Sequence, residues 1–357
     1  VDSSGGIGTQ GAQSPGILAQ SVGGGGGAMA SSHTLIGPAS AGSTIALGGR
    51  QDIGALGLYG GNITVANSGT IETHGVDSAG VLAQSIAGGG GVAMVDMLGT
   101  GTIASAQSAI HALTLGGNYS ESGSPALAGL WAGAVNVSNS GRISTAGTLS
   151  HGIFAQSISG GGGTAIISSN AASTSIEASL GAREQGNNQA NAAFGGGGTV
   201  TVSSSGGSSI STAGDLAFGV LAQSIGGGGG YLAADTGSVA TTAPMKLTFG
   251  AERLITGSGG AVNVSLGGNV ETTGKNAYAV LAQSIGGGGG VAGLTTSPRH
   301  VTLQGVSTPN VAANGNDGGA VTVSLTGAAR TSGAGAVGVL AQSIGGGGGI
   351  ARGSSVA

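Results

Sequence analysis

Few residues of this 357-residue chain have the types and spacing of a metal site. The chain contains no cysteine, which excludes both thiolate ligands and disulfides. Its histidines are scattered, and no two show the spacing of about three to five residues that is usual for zinc ligands. They are His33, His74, His111, His151 and His300. We therefore expect ordinary surface histidines and predict no bound metal.

Acidic residues that could catalyse hydrolysis are also sparse. Glu72 and Asp77 form the densest acidic pair, one on each side of a predicted turn. No recurrent spacing would hold two carboxylates together in the way that glycoside hydrolysis needs, and the sequence has no Gly-x-Ser-x-Gly nucleophile motif. Segment 314–319 is similar to one calcium-binding nonapeptide turn, but such sites need tandem copies. We predict no catalytic residue and no enzyme activity.

Glycine accounts for 82 residues and forms runs that could be mistaken for phosphate-binding loops. A phosphate loop needs Gly-Lys followed by Ser or Thr at the start of a helix, whereas Gly274–Lys275 is followed by Asn276. No nucleotide or other cofactor is therefore predicted. The runs have two open interpretations: they are bends that need positive φ angles, or they pack side by side between neighbouring units or neighbouring molecules. They include Gly23–Gly27, Gly88–Gly91, Gly226–Gly230, Gly286–Gly290 and Gly345–Gly349.

A motif that recurs at nearly regular intervals divides the chain into repeats. The pattern Val/Ile-Leu/Phe-Ala-Gln-Ser-Ile/Val, followed by glycines, occurs six times, with 64, 72, 67, 60 and 59 residues between successive glutamines. Those glutamines are Gln20, Gln84, Gln156, Gln223, Gln283 and Gln342. Such self-similarity indicates one array of stacked units. We predict a continuous array over 1–357, with approximate units 1–27 (partial), 28–91, 92–163, 164–230, 231–290, 291–349 and 350–357 (the start of another).

The motif itself predicts a strand, because it is short and flanked by glycine. Its buried face is ambiguous, since Val81 and Ala83 would lie on one side and Leu82 and Ile86 on the other. Both sides are thus partly apolar. We expect the six glutamines to hydrogen-bond to one another along the stack rather than to face a ligand.

The rest of each unit also favours strands. Ahead of the later motifs, β-branched residues alternate with polar ones, as in 62–73 and 134–145, around an Asn-Ser-Gly turn. A strand that contains leucine or phenylalanine follows each glycine run. The sequence therefore predicts an all-β, elongated parallel β-helix, a β-solenoid of about six repeats of 59–72 residues. We expect about three coils in each repeat, and a rod about 70–90 Å long.

Charge and hydropathy exclude some partners. The net charge is −4 and no basic stripe exists, so nucleic acid is not an expected partner. The sequence contains no run of about 18 apolar residues, the length that a membrane-spanning helix needs. The first 20 residues do not have the pattern of a signal peptide. We expect any export signal to lie outside this chain, and the chain to be an excerpt from a longer array.

The alternating strand, the Asn-Ser-Gly turn, the Ala-Gln-Ser-Ile motif and the glycine run together resemble the passenger repeats of large proteobacterial autotransporter proteins. The resemblance covers essentially the whole chain. It implies a right-handed parallel β-helix that is secreted and displayed by a C-terminal outer-membrane β-barrel outside this chain. The lack of cysteine fits such a passenger, because disulfides would hinder its passage through a membrane pore.

The resemblance implies a function that depends on surface contact. We expect a structural rod, at the bacterial cell surface or secreted, that mediates adhesion, autoaggregation or biofilm contact with a host-cell or matrix surface. The alternative is a self-assembling extracellular filament or matrix subunit, joined through coil ends or polyglycine faces. Self-association is expected in both cases.

Overall fold

The computed structural model describes residues 1–35, 44–48, 50–52, 58–99, 110–120, 129–169, 175–181, 183–185, 193–235, 245–250, 255–295, 301–305 and 316–353. These residues form 35 β-strands and no helix. The strands belong to seven parallel sheets, named A to G in the order in which the chain visits them. The predicted all-β parallel β-helix is therefore confirmed.

Four of the sheets have six strands each. Sheet A contains β1 (Asp2–Ser3), β7 (Ile63–Asn67), β14 (Val135–Asn139), β21 (Val200–Ser204), β27 (Val262–Leu266) and β32 (Val321–Leu325). Sheet B contains β2 (Gly6–Thr9), β8 (Thr70–Thr73), β15 (Arg142–Thr145), β22 (Ser209–Thr212), β28 (Asn269–Thr272) and β33 (Ala329–Thr331). Sheet C contains β3 (Ile17–Gly23), β9 (Val81–Ala87), β16 (Ile153–Ile158), β23 (Val220–Ile225), β29 (Val280–Ile285) and β34 (Val339–Ile344). Sheet D contains β4 (Gly26–Leu35), β10 (Gly90–Gly99), β17 (Gly162–Ser169), β24 (Gly229–Asp235), β30 (Gly289–Leu294) and β35 (Gly348–Gly353).

Three further sheets complete each turn of the chain. Sheet E contains β5 (Thr44–Leu47), β11 (Ile110–Leu115), β18 (Ser175–Leu180), β25 (Met245–Phe249) and β31 (Val301–Gly305). Sheet F contains β6 (Arg50–Asp52), β12 (Asn118–Ser120) and β19 (Arg183–Gln185). Sheet G contains β13 (Leu130–Trp131), β20 (Ala193–Gly196) and β26 (Ile255–Ser258), after which the chain returns to sheet A.

Each sequence repeat forms one coil, which corrects the expectation of about three. Gln84 pairs with Gln20 on one side and with Gln156 on the other, so that each strand stacks on the equivalent strand one full repeat away. The several strands of a repeat lie beside one another within a layer, not on top of one another. The described residues thus form six layers, which fall within the ranges 1–62, 63–134, 135–199, 200–261, 262–320 and 321–353. At about 4.8 Å per layer they span about 24 Å, so the predicted rod of 70–90 Å is also wrong.

Sheets A, B and C enclose the first apolar core, which we call core 1. In the second layer Ile63, Val65 and Ile71 point inward, and the polar residues between them, such as Thr64, face solvent. This is the alternation expected of a strand with one buried face. Equivalent residues of successive layers stack in register, so core 1 continues through the layers.

Sheet C is buried on both faces, which resolves the ambiguity of its sequence. Val81 and Ala83 belong to core 1. Leu82 points to the opposite side and packs in core 2, which lies between sheets C and D. Sheet D is also a shared wall, because its Val92 lies in core 2 and its Val95 packs against sheet E in core 3. A layer is therefore wide. In the described residues two buried strands separate three large apolar cores, and a smaller fourth cluster is the row of Ile86, Ile158, Ile225 and Ile285 at the end of sheet C.

Candidate functional site

The repeated glutamines form a continuous ladder through the six layers. The Nε2 atom of each donates to the Oε1 atom of the next, at 2.9, 2.7, 2.6, 2.8 and 2.7 Å from Gln20 to Gln342. The four inner side chains are fully buried. Burying an unpaired amide costs about 2–7 kcal/mol, and the ladder avoids that cost. The predicted structural role of this row is confirmed.

The serine after each glutamine also connects neighbouring layers. Oγ of Ser157 accepts a hydrogen bond from the backbone N of Gly198 at 2.7 Å and donates one to the carbonyl O of Gly133 at 2.8 Å. Ser224 and Ser284 make the same pair of contacts one and two layers further on. The hydroxyls therefore satisfy partly buried backbone groups at the corner that leads into sheet A.

The Asn-Ser-Gly segments are corner turns, as predicted. Oδ1 of Asn67 accepts from the backbone N of Gly69 at 3.3 Å, which is the contact of an Asx turn. Its amide nitrogen donates to Oδ1 of Asn139 in the next layer at 2.8 Å. Both asparagines are 2% exposed, so they too hold layers together and do not face a ligand.

The glycine runs are bends that also pack on one another within the molecule, so the two interpretations of their sequence are both partly right. All four residues of Gly88–Gly91 have φ between +80° and +135°. A Cβ built on Gly91 would lie within 2 Å of the carbonyl O of Gly27 in the preceding layer. Runs of the inner layers are buried, whereas most residues of the outermost runs, Gly23–Gly27 and Gly345–Gly349, are partly or fully exposed.

The expectation that the histidines lie at the surface is right for His74 and wrong for His151. His74 is exposed, whereas His151 is 2% exposed and lies in core 2. His151 occupies a register position that the next layers fill with Phe218 and Tyr278, and its ring stacks on Phe218 at 4.9 Å. The side chains of His33, His111 and His300 lie outside the described residues.

Core 2 holds His151 in its neutral form. Its Nδ1 accepts a hydrogen bond from the backbone N of Phe218 at 3.0 Å, which places the proton on Nε2. Burial lowers the pKa of His151 to about 3. Tyr231 contacts the imidazole edge-on at 4.9 Å, and burial, together with the negative charge of Asp77, raises the tyrosine pKa well above its usual value. These groups are enclosed and have no route to a substrate at the surface.

The two acidic candidates do not form a site. Glu72 is exposed on the outer face of sheet B, whereas Asp77 is 4% exposed in the loop before sheet C. Of the segment similar to a calcium turn, 314 and 315 lie outside the described residues. Oδ1 of Asn316 accepts from the backbone N of Gly257 at 3.3 Å, so it serves the contact between layers. Within the described ranges, no group of three His, Asp or Glu side chains could hold a metal ion.

A groove of about 460 Å³ crosses four layers at the corner between sheets A and B. Its lining consists mainly of serine hydroxyls, among them Ser68, Ser140 and Ser205, with the carboxylate of Asp2 at one end. Buried Asn67 and Asn139 also line it. The groove offers hydrogen-bonding groups to a polar ligand but no acid–base pair.

The other candidate surface is an exposed aromatic pair, which we call the aromatic platform, made of Tyr59 and Trp131. Tyr59 is 62% exposed and Trp131 is 52% exposed, while Leu130 and Ala132 on either side of the tryptophan are buried. The two aromatic residues face each other across a parallel bridge between the first and second layers. Trp131 is the single tryptophan of the chain.

Gly196 in the third layer contacts the indole ring of Trp131 and, having no side chain, leaves room for it. It pairs with Trp131 in sheet G, and a Cβ built on it would lie 2.8 Å from Cζ3 of Trp131. The six-membered part of the indole therefore lies directly over the glycine backbone. This contact fixes the ring against the protein while about half of the side chain stays exposed. A fixed, exposed aromatic surface is suited to binding, because little side-chain entropy is left to lose.

Sequence reasoning missed both the aromatic platform and the buried position of His151. A signal existed in each case. Tyr59 and Trp131 precede the alternating strands Ile63–Asn67 and Val135–Asn139 by the same number of residues, so alignment of the repeats places them in one row. The same alignment places His151 with Phe218 and Tyr278.

In the part of the chain that the structure describes, no helix has the length and apolar character to cross a membrane. Neither a family model, nor a curated protein, nor a solved structure matches this sequence.

Proposed function

We propose that the chain is a structural passenger, displayed at a bacterial cell surface or secreted, which mediates adhesion, autoaggregation or biofilm contact. One observation carries this proposal: the repeated motif connects the layers. Gln84 bonds along the ladder, Ser85 bonds to the backbone of Gly133, and the apolar residues between and beside them fill cores. The most strongly repeated residues thus serve cohesion of the stack, which is the property a scaffold needs.

The outer faces of sheets A and B support a role in contact. The outer face of sheet A carries short, mostly neutral side chains in register, for example Thr64, Asn136 and Asn263, whereas the outer face of sheet B also carries exposed charges, among them Glu72, Arg142 and Glu271. The faces are parallel to the stack axis and form a regular polar surface. The resemblance to autotransporter passengers and the lack of cysteine support an extracellular location.

A bead assay tests this proposal directly. Latex beads coated with the purified chain would be compared with beads coated with an inert protein of similar net charge, by counting bead clusters and beads retained on a cultured-cell monolayer or plastic. We expect the coated beads to cluster or to be retained several-fold more often. Equal behaviour of the two kinds of beads would contradict an adhesive function.

A second candidate function is a self-assembling filament. The regular register favours it, because every layer pairs with the next through equivalent residues, as Leu82 does with Leu18 and Val280 with Val339. A second copy that continues this register would place its equivalent residues on Leu18 and Val339 and pair its strand edges with theirs. Because the inner glycine runs are buried, we place such contacts at the outermost layers and not along polyglycine faces.

Sedimentation at rising concentration, combined with electron microscopy, tests the filament. We expect stacked particles for the wild type and monomers for Leu18→Asp and Val339→Asp, because a charge would face the apolar contact. Thr322→Asp is the matched control, since Thr322 is exposed on the outer face of the same layer as Val339. Monodisperse wild-type monomers at high concentration would contradict the filament.

A further inference from the structure

We propose that the aromatic platform of Tyr59 and Trp131 binds a neutral, linear glycan that runs parallel to the stack axis. This inference rests on the proposed function, since it names the chemical class of ligand through which contact is made. The chain has nine aromatic residues of the types Phe, Tyr and Trp. Phe154, Phe218, Tyr231, Tyr278 and Phe249 are all buried in the cores, so large aromatic exposure is confined, among described side chains, to the platform.

The exposure of the platform is not explained by packing. The aromatic side chains of the cores are buried and gain the free energy of apolar burial. The half-exposed indole of Trp131 gains only part of it. A contiguous exposed apolar patch is a feature of binding surfaces, and the two rings lie on adjacent layers. Trp131 is held in place, because its ring lies over Gly196 and its backbone O accepts from the N of Gly60 at 3.0 Å.

The segments that form the platform row in the first four layers are neutral. No charged residue and no histidine occurs in 58–64, 129–136, 195–201 and 257–263. In the fifth layer the row continues with Asp317, which is exposed, so these segments offer no cation to a polyanion and the row ends in a negative charge. Neutral amides and hydroxyls are present instead: Asn62 and Asn136 are exposed in the two segments that contain the aromatic residues.

A sugar ring has the chemistry that matches this surface. Its axial C–H groups form an apolar face that packs on an aromatic ring, and its equatorial hydroxyls reach sideways to hydrogen-bond partners. Oδ1 of Asn62 accepts from the backbone N of Ala134 at 2.8 Å, so this side chain is fixed and can offer its amide N–H groups. Two exposed aromatic rings with the fixed amide of Asn62 in the same segment therefore suit a glycan better than an aliphatic ligand.

The direction of the bound polymer follows from the order of residues in sheet G. Tyr59 and Trp131 lie one layer apart, at about 4.8 Å along the stack. Beyond them the same row continues with Gly196 and Ser258, which have little or no side chain to obstruct a polymer. A flat, β-linked glycan can thus pass over the two aromatic rings and continue along the next two layers.

Because Trp131 is the single tryptophan, its fluorescence reports this site alone. We would titrate the full chain with cellohexaose and with chitohexaose, record tryptophan emission, and measure affinities of the variants by calorimetry. We expect a saturable change in emission with at least one of the two oligosaccharides. Trp131→Ala and Tyr59→Ala should each weaken binding by about tenfold or more, because each removes one stacking surface.

Two further variants distinguish positioning from general damage. Gly196→Ala keeps both aromatic residues but introduces a Cβ against the indole, so it should displace the ring and weaken binding several-fold. Glu271→Gln changes an exposed residue on the outer face of sheet B and should bind like the wild type. Binding that is equally weak in Glu271→Gln and Trp131→Ala would overturn the inference, as would no emission change with either oligosaccharide.

Vesicles and beads separate the other outcomes. An emission shift with phosphatidylcholine vesicles and none with the oligosaccharides would replace the glycan by a membrane surface and overturn the inference. If beads coated with Trp131→Ala adhere as well as wild-type beads, the inference is wrong and the adhesive function stands. If the oligosaccharides bind but wild-type beads neither cluster nor adhere, the inference stands and the adhesive function is wrong.

Discussion

The side-chain nitrogen of Gln84 lies 2.7 Å from Oε1 of Gln156 in the next layer, and neither side chain is exposed. Gln156 in turn donates to Gln223 at 2.6 Å. An amide in the middle of this ladder therefore satisfies one partner on each side. Oγ1 of Thr164 accepts from Nε2 of Gln84 and donates to Oε1 of Gln156 at 3.3 Å. Removal of Gln156 therefore leaves the carbonyl of Gln223 without its ladder partner and takes one hydrogen bond each from Gln84 and Thr164, all of them buried.

Replacement of Gln156 by leucine should destabilise the stack, although leucine is apolar and similar in size. The buried carbonyl of Gln223 and amide of Gln84 would each lose a hydrogen bond, and we expect a loss of about 2–4 kcal/mol in the free energy of unfolding. Urea denaturation followed by circular dichroism measures it. Gln342→Leu is the matched control: Gln342 is half-buried in the last layer and has one ladder partner, Gln283, so its loss leaves one group unpaired and should cost about half as much. Equal costs would contradict a cooperative buried ladder.

The glycine runs predict a large difference between two equivalent alanine substitutions. Gly27 and Gly91 stand at the same register position and have φ of +137° and +135°, so alanine would be strained at both. A Cβ on Gly27 meets nothing within 4 Å, whereas one on Gly91 would overlap the carbonyl O of Gly27. Gly27→Ala should therefore cost only the strain, about 1–3 kcal/mol, while Gly91→Ala should cost several kcal/mol more or prevent folding.

Thermal unfolding of the two glycine variants, side by side, measures this difference. Since the backbone angles are nearly the same, any excess loss for Gly91→Ala reports the contact between neighbouring runs. Similar melting temperatures for the two variants would show that the runs do not pack as closely as the structure places them.

The local features of this fold could be predicted from sequence, because they repeat. Alternation in Ile63–Asn67 gives a strand with one buried face, and six identical Ala-Gln-Ser motifs make a ladder of stacked glutamines the simplest arrangement. The number of coils could not be predicted in the same way. Repeat length fixes how much chain a unit contains, but not whether its strands lie beside or above one another; that depends on the pairing of Gln84 with Gln20 and Gln156.

The candidate site could be predicted less well, since it depends on residues that do not repeat. Trp131 and Tyr59 occupy a row that later layers fill with Gly196 and Ser258. The scattered positions of the five histidines, without metal-ligand spacing, predict surface residues, and this is wrong for His151. In the structure its ring stacks on Phe218 of the next layer. Phe218 is the equivalent residue of the next repeat, so this contact becomes visible in the sequence only when the repeats are aligned.

Ser157 should contribute more to stability than its equivalent in the first layer. Its hydroxyl bonds to backbone groups of two layers, Gly198 and Gly133, so Ser157→Ala leaves a partly buried donor and a partly buried acceptor unpaired. We expect a loss of about 1–3 kcal/mol. For Ser21 the structure gives one such contact, an acceptance from the backbone N of Gly61 in a more exposed setting, and Ser21→Ala should cost less than half as much. Urea denaturation of both variants measures the difference, and a smaller loss for Ser157→Ala would contradict it.

The buried imidazole of His151 predicts a specific loss of stability in acid. Above pH 6.5 the histidine is neutral in both the folded and the unfolded chain and contributes nothing to pH dependence. Between pH 6.5 and about 3 the unfolded chain binds a proton that the folded chain does not, so the folded state loses stability as the pH falls. For this fully buried group the loss approaches about 4–5 kcal/mol at pH 3.

His151→Phe should remove this part of the acid sensitivity and leave the rest, because phenylalanine extends the aromatic stack of Phe218 and Tyr278 and does not titrate. The measurement is the free energy of unfolding of wild type and variant at several pH values from 7 to 3.5. As the pH falls, the free energy of unfolding of the wild type should decrease more than that of His151→Phe. His74→Phe is the control at an exposed position and should follow the wild type. Parallel pH profiles for wild type and His151→Phe would show that the folded chain accepts the proton as readily as the unfolded one, and that His151 is not held neutral by burial.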